Sequence, residues 1–188
     1  TGLSRRLMAT MRMETPMANP PLQSLEAEMS VLGGLFLDPG RFAEVAEIVS
    51  PHDFSTPQHR LLFSCMVALT TAGQPVDLVT TAEWLETHGQ LEDAGGFPYL
   101  GVLARDTPSA ANVDAYARLV RNYARRRALL NLSHQLGQWT LAEPDIEAVL
   151  SRLDRALRAM DAATPTTGPR LLGDWLPDVL TQLEDRSQ

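Results

Sequence analysis

One stretch of the sequence, residues 109–142, contains no proline and constrains the fold more than any other part. Its apolar side chains recur at spacings typical of one α-helix. These side chains are Val113, Tyr116, Val120, Tyr123, Leu130, Leu136 and Trp139. At 1.5 Å per residue the predicted helix is on the order of 45–50 Å long, which exceeds the width of the small domain before it. The helix must therefore project beyond that domain.

A second helix is predicted to run back along the first one. Glu143-Pro144-Asp145 ends the long helix, and the apolar residues that follow are spaced by four and three, as in a coiled-coil seam. These residues are Ile146, Leu150, Leu153, Leu157 and Met160. We therefore expect residues 109–161 to form an antiparallel helical hairpin. Its apolar side chains are too many for two helices to cover, so some remain for a second subunit.

Residues 20–108 are predicted to form five short helices joined by tight turns. Ser24 stands where an N-cap is expected, and Pro57 suits the first position of a helix. Thr80 and Glu83 have the spacing of a capping box, which predicts the start of another helix. Together these signals predict a compact helical head.

The two ends of the sequence differ from its middle. Residues 1–19 hold no long apolar block and are predicted to be a flexible tail. Residues 162–170 have the proline and glycine content of a linker. Beyond them, residues 171–188 are predicted to form a tethered docking helix with an apolar stripe that seeks a partner. The predicted fold class is thus all-α: a compact helical head, an antiparallel helical hairpin and a tethered C-terminal linker helix.

Charge and cysteine content narrow the possible functions. The net charge of -7 disfavours a surface built to grip phosphates, so we expect DNA contact by this chain to be weak or absent. Arg125-Arg126-Arg127 is interpreted as a solvated face of the hairpin. The single Cys65 excludes an intramolecular disulfide and suits a reducing cytoplasm. No apolar run reaches the roughly 20 residues of a membrane-spanning helix, so no membrane association is expected.

No catalytic chemistry is predicted for this chain. All sixteen basic residues are arginine, and a P-loop needs a lysine to reach the phosphates of ATP. No nucleophile motif or marked pair of carboxylates is present. The four histidines, at positions 52, 59, 88 and 134, lack the spacing of metal ligands. We expect no catalytic residue, no bound cofactor and no metal ion here.

Several short motifs resemble the N-terminal domain of bacterial DnaB-type replicative DNA helicases. The resemblance runs without gaps from Pro20 to about Arg127 and more loosely through the hairpin into the last helix. The motifs are Pro20-Pro21, Glu26-Ala-Glu28, Val31-Leu-Gly-Gly34, Asp53-Phe54, His59-Arg60 with Phe63, Gly95-Gly-Phe-Pro-Tyr-Leu100 and Thr107-Pro-Ser-Ala-Ala-Asn112.

The resemblance implies partners. In that family, hairpins pair between subunits, six copies form a collar above a ring of motor domains, and the helix after the linker docks on the neighbouring motor domain. Primase and helicase loaders bind the collar, and Leu130 and Leu136 fall where hairpin positions influence primase contact. The expected partners are therefore the chain itself as a dimer or hexamer, primase, a loader and a neighbouring motor domain. ATP and Mg²⁺ are expected only in a motor domain that this sequence lacks.

The predicted functional surface is a protein interface. Its residues are Tyr116, Val120, Tyr123, Leu130, Leu136 and Trp139 of the hairpin with Trp175, Leu176, Val179, Leu180 and Leu183 of the last helix. Two alternatives stay open. A stand-alone phage or plasmid helicase loader or adaptor built on the same domain would show a stop codon after Gln188. A nucleic-acid-binding helical regulator would show salt-sensitive DNA binding by the isolated chain.

Overall fold

A computed structural model describes residues 22–107 and 109–162 of the chain, and all regular structure within these residues is helical. The α-helices are α1 Leu25–Leu37, α2 Phe42–Ala46, α3 Pro57–Thr71, α4 Leu78–Thr87, α5 Gly96–Asp106, α6 Val113–Ala142 and α7 Ile146–Ala162. Short 3-10 turns span Pro39–Arg41, Pro51–Asp53 and Ala110–Asn112. The all-α prediction is confirmed, whereas the predicted tail and docking helix lie outside the described residues. The predicted linker also lies outside them except for Ala162, which is the last residue of α7.

The starts of α1 and α3 follow the capping signals in the sequence. Ser24 Oγ accepts a hydrogen bond from the backbone N–H of Ala27 at 3.2 Å. Thr56 Oγ1 accepts one from His59 N at 3.2 Å, and Pro57 is the first residue of α3. These side chains satisfy backbone donors that have no partner within a helix. Both predicted helix starts are confirmed.

The predicted capping box of α4 is wrong. The N-cap is Asp77, whose Oδ1 accepts hydrogen bonds from Val79 N and Thr80 N at 2.9 Å each. Thr80 closes the box from the other side, because its hydroxyl accepts from Asp77 N at 3.1 Å. Asp is among the strongest N-cap residues, so Asp77 starts the helix three residues before the predicted position. Glu83 lies well inside α4.

Helix α1 is the centre of the head, which we define as α1 to α5. It packs against α3, α5 and the first half of α6. A Cβ atom on Gly33 would overlap Thr107 Oγ1 and the carbonyl oxygen of Leu103, so only glycine permits this approach of α5. Large apolar side chains with no exposed surface form the core of the head; they include Leu32, Leu35, Phe54, Leu62, Phe63, Met66, Leu85 and Leu100.

The long helix of the sequence prediction is α6, which has 30 residues and is therefore about 45 Å long. Its first turns lie in the core of the head, where Val113, Ala117 and Val120 are buried. Its second half packs against α7, and these two helices form the antiparallel hairpin. Among the described residues, no helix combines the length and hydrophobicity that crossing a membrane requires.

Candidate interaction surface

Most of the α7 residues that pack against α6 are not the ones predicted from the sequence. Val149 is 2% exposed, and Leu153, Ala156 and Met160 continue its line at spacings of four and three with partial burial. The predicted seam residues Ile146, Leu150 and Leu157 are instead 57%, 50% and 42% exposed. Both lines repeat every three or four residues, so spacing alone did not distinguish them. Leu153 and Met160 belong to the seam as predicted.

The exposed leucines of α6 fall on two sides of the helix. Leu132 is buried, and Leu136 and Trp139 share its face with partial burial, as expected for residues that face α7. Leu129 is 52% exposed at the edge of this face. In an antiparallel pair, positions displaced in the same direction from the seam lie on the same side. Leu129 therefore lies on the same side of the hairpin as the exposed line of α7.

These four residues form an apolar surface that we call the hairpin face: Leu129, Ile146, Leu150 and Leu157. Each is more than two-fifths exposed within a single chain. Ile146, Leu150 and Leu157 were predicted to lie in the seam, and Leu129 was not among the residues of the predicted interface. The sequence signal for the three residues of α7 is that its apolar side chains cover a wider stripe than the two positions per seven residues that a seam requires.

A second apolar line, the outer line of α6, points away from α7. It comprises Leu119, Tyr123 and Leu130, which are spaced by four and seven residues. Leu119 is 39% and Leu130 43% exposed, while Tyr123 is half-buried with the Arg126 guanidinium carbon 6.0 Å from its ring centroid. Leu130 and Tyr123 of the predicted interface thus share one face, which Leu119 extends towards the head.

Three groups of predicted interface residues have other placements. Val120 is only 2% exposed because it packs in the hydrophobic core, so it offers no surface to a partner, contrary to the prediction. Tyr116 is half-buried against the same core. The predicted residues of the last helix, Trp175, Leu176, Val179, Leu180 and Leu183, lie outside the described residues.

Ionic contacts on Asp53 fix the hairpin to the head. Asp53 is buried, and its Oδ1 accepts a hydrogen bond from Arg121 Nη1 at 2.6 Å while its Oδ2 accepts one from Ser50 N at 2.7 Å. Arg127 of α6 donates to the backbone carbonyls of Asp53 and Leu22. Desolvation lowers the pKa of Arg127 from its ordinary value. Arg127 is therefore an anchor of α6, and the prediction of a solvated face holds only for Arg125 and Arg126, which are exposed.

A buried polar network joins α1, α3 and α5. His59 Nδ1 lies 2.6 Å from Glu28 Oε2, and His59 Nε2 lies 2.7 Å from the Tyr99 hydroxyl. Ser55 N donates to Glu28 Oε1 at 2.9 Å. Desolvation alone would raise the pKa of Glu28, but the hydrogen bonds from His59 and Ser55 outweigh it and lower that pKa.

The network links three segments of the head. The thiol of Cys65 lies buried elsewhere in the head, where desolvation raises its pKa to about 12. Within residues 22–107 and 109–162, no group of three histidine, cysteine or acidic side chains could hold a metal ion. Exposed apolar side chains of the hairpin are thus the features of the described chain that most clearly call for a partner.

Comparisons with known proteins find relatives of one family over most of the chain. Residues 20–122 match the profile of the DnaB-like helicase N terminal domain. The chain is 40% identical over 138 residues to the replicative DNA helicase DnaB of Geobacillus stearothermophilus, covering 73% of this chain and 30% of that relative. It therefore spans less than a third of that relative's length.

Two solved structures share the fold. The N-terminal domain of DnaB helicase from Mycobacterium tuberculosis has a TM-score of 0.69 and 35% identity, covering 74% of this chain and 99% of that one. The N-terminal domain of DnaB helicase from Helicobacter pylori, described with its interactions with primase, has a TM-score of 0.54 and 23% identity. That match covers 63% of this chain and 94% of the other, and it supports the fold alone.

Proposed function

Because this chain belongs to the family of DnaB-like helicase N-terminal domains, we propose that it pairs subunits in the collar of a hexameric replicative helicase and recruits primase or a helicase loader. The chain acts in this proposal through its interfaces. ATP hydrolysis, with its Mg²⁺, takes place in a motor domain of the same ring, to which residues 171–188 dock from the neighbouring subunit. Replication in a bacterium places this work in the cytoplasm.

The hairpin face is the observation that carries the proposal. Leu129, Ile146, Leu150 and Leu157 are apolar, lie on one side of two rigid helices and are each at least 42% exposed in a single chain. Burying apolar surface of this kind against a second copy stabilises a pair by about 25 cal/mol per Å². The hairpin face contains residues of both α6 and α7. Pairing through this face therefore brings both helices of one chain into contact with the second chain.

The outer line of α6 is the surface that we assign to primase or a loader. Leu119, Tyr123 and Leu130 point away from α7, and so they remain available when the hairpin face is occupied. A half-exposed aromatic flanked by exposed leucines is a composition found at the centres of protein interfaces. The neighbouring exposed Arg126 supplies a polar contact at the edge.

Light scattering of the chain over a range of concentrations tests the pairing. The double change Leu150→Ser with Leu157→Ser removes apolar surface from the hairpin face. Each side chain contributes about 1 kcal/mol when its exposed part is buried, and a symmetric dimer contains two copies of both leucines, so the dimer dissociation constant is expected to rise about a thousandfold.

A matched control makes the same two leucine-to-serine changes on α1 of the head. Leu25→Ser with Leu37→Ser changes two leucines of α1 that are 42% and 49% exposed, nearly the values of Leu157 and Leu150. This pair of changes is expected to leave the dissociation constant unaltered. A monomeric chain at every concentration, or equal losses in the two variants, contradicts the proposed pairing.

Titration with the primase of the same bacterium tests the second surface. Leu130→Ser is expected to weaken primase binding about fivefold or more without changing the oligomeric state, because it lies on the outer line. Leu37→Ser serves as the control on the head. If Leu130→Ser binds primase like the unaltered chain, the outer line is not the primase surface.

A further inference from the structure

A groove on the head lies along helix α4, beside the loop that joins α3 to α4. Its volume is about 400 Å³, and its lining residues are Gln74, Pro75, Thr80, Glu83, Trp84, Thr87 and His88. Helix α4 packs mainly against α3 and α5, whereas the hairpin is held by α1, α2 and the Asp53 turn. The groove is therefore separate from both apolar surfaces of the hairpin.

Hydrogen bonds and ring stacking hold the walls of the groove in place. Thr80 Oγ1 donates to the carbonyl of Pro75 at 2.8 Å, which ties the loop after α3 to α4. The rings of Trp84 and His88 stack with centroids 3.8 Å apart, and His88 Nδ1 lies 2.7 Å from Trp84 O. A binding site that is already ordered spares the ligand the cost of arranging it.

The indole of Trp84 gives the groove its recognition chemistry. Trp84 is partly exposed, and its N–H donates to no atom of the described residues. An indole offers a hydrogen-bond donor at one edge and an electron-rich ring that attracts prolyl and cationic side chains. The exposed Glu83 carboxylate lies on the same wall, one residue before Trp84.

The charge of this part of the head is uniformly negative. No arginine or lysine stands between Arg60 and Arg105, although the stretch contains five acidic residues, Asp77, Glu83, Glu86, Glu92 and Asp93. All five belong to α4 or to the loops on either side of it. A field of this sign attracts a cationic partner and repels the phosphates of DNA or RNA.

We propose that the α3–α4 groove binds an extended basic segment of a partner protein. An arginine or lysine of the segment lies against Trp84 and beside the Glu83 carboxylate, and a backbone carbonyl of the segment accepts the indole N–H. An adjacent proline keeps the segment extended before it binds, which lowers the entropic cost of binding. The inference goes beyond the collar function and uses none of the residues assigned to it.

A fluorescence titration of the full 188-residue chain tests the groove. Trp139→Phe with Trp175→Phe leaves Trp84 as the single tryptophan of the three in the sequence, so the signal reports only on this site. The probe is a blocked hexapeptide with three Pro-Arg repeats, and the control peptide has Pro-Gln repeats. We expect saturable binding of the arginine peptide and at least tenfold weaker binding of the glutamine peptide.

Charge-matched variants distinguish peptide binding in the groove from a general attraction to the acidic head. Glu83→Gln is expected to weaken binding of the arginine peptide about fivefold, which is the upper range for an exposed ion pair. Glu47→Gln removes the same charge from the end of α2 and is expected to leave binding unchanged. The proposal is overturned if no saturable signal appears, if both peptides bind alike, or if the two variants lose affinity equally. None of these results bears on subunit pairing or on primase.

Discussion

Glu28 is the residue on which the interior of the head depends most. Its carboxylate is 1% exposed and accepts hydrogen bonds from α3 and from the loop before it, so one side chain links three segments. In the sequence, Glu28, His59 and Tyr99 belong to three separate motifs, and none of these motifs indicates that the three side chains are in contact. Their meeting could not be predicted, because the contact joins residues 31 and 40 positions apart and depends on how the helices pack.

The lowered pKa of Glu28 gives a pH-dependent prediction. Its pKa in the folded chain lies below the ordinary value of 4.5, so the carboxylate stabilises the fold above that pH. The contribution is lost as the pH falls through the lowered pKa. Glu28→Gln is therefore expected to reduce the free energy of unfolding by about 2–3 kcal/mol at pH 7, and the difference should shrink towards pH 3. Urea unfolding at several pH values measures it.

Glu26→Gln is the control for that experiment. Glu26 is exposed in the first turn of the same helix, so its replacement is expected to change the free energy of unfolding by less than about 0.5 kcal/mol. A Glu28→Gln penalty that stays constant with pH would show that the side chain acts through its shape alone.

Two glycines are expected to respond in opposite ways to the same substitution. Gly33→Ala forces α1 and α5 apart, which should reduce the free energy of unfolding by about 1–3 kcal/mol or more. Gly137 lies within α6 and has nothing within 4 Å of the position of a Cβ atom. Gly137→Ala should therefore stabilise the helix by about 0.5–1 kcal/mol. Thermal unfolding of both variants checks the pair, and a stabilised Gly33→Ala variant contradicts the close packing.

At the scale of whole helices, local signals predicted starts and lengths but not neighbours. Ser24 and Pro57 predicted the starts of α1 and α3 correctly, because caps and backbone restrictions act within a few residues. The absence of proline in residues 109–142 predicted the long helix α6, which begins four residues later than expected because Ala110–Asn112 form a 3-10 turn. The choice between two apolar lines of α7 depends on which one α6 covers, and that is a tertiary fact. For the same reason, Val120 was predicted at an interface although it packs inside the head.

The corrected start of α4 makes a prediction about helix stability. Asp77→Ala removes the acceptor for Val79 N and Thr80 N and is expected to cost about 1 kcal/mol of unfolding free energy. Glu83→Gln, at the position first expected to complete the capping box, should cost close to nothing. Urea unfolding of the two variants compares them directly, and a larger loss at Glu83 would restore the start predicted from the sequence.

At the scale of the molecule, subunit pairing can be separated from the end of the chain. A chain that stops after Ala162 keeps α1 to α7 and loses the predicted docking helix. If the hairpin face carries the pairing, this shorter chain is expected to have the same dimer dissociation constant as the full chain, within about twofold, since no contact surface is removed. Light scattering of both chains over the same concentrations decides the matter, and a monomeric shorter chain assigns pairing to residues 163–188.

The continuity of α6 gives the hairpin a mechanical property. One unbroken helix carries Val113 and Ala117 in the core of the head at one end and Trp139 near the tip at the other. Arg121 and Arg127 clamp it about halfway, on the Asp53 turn. A force applied at the tip therefore rotates α6 about its contacts with Asp53 and displaces the buried first turns of the helix. Movement of the tip is in this way coupled to the packing of the head.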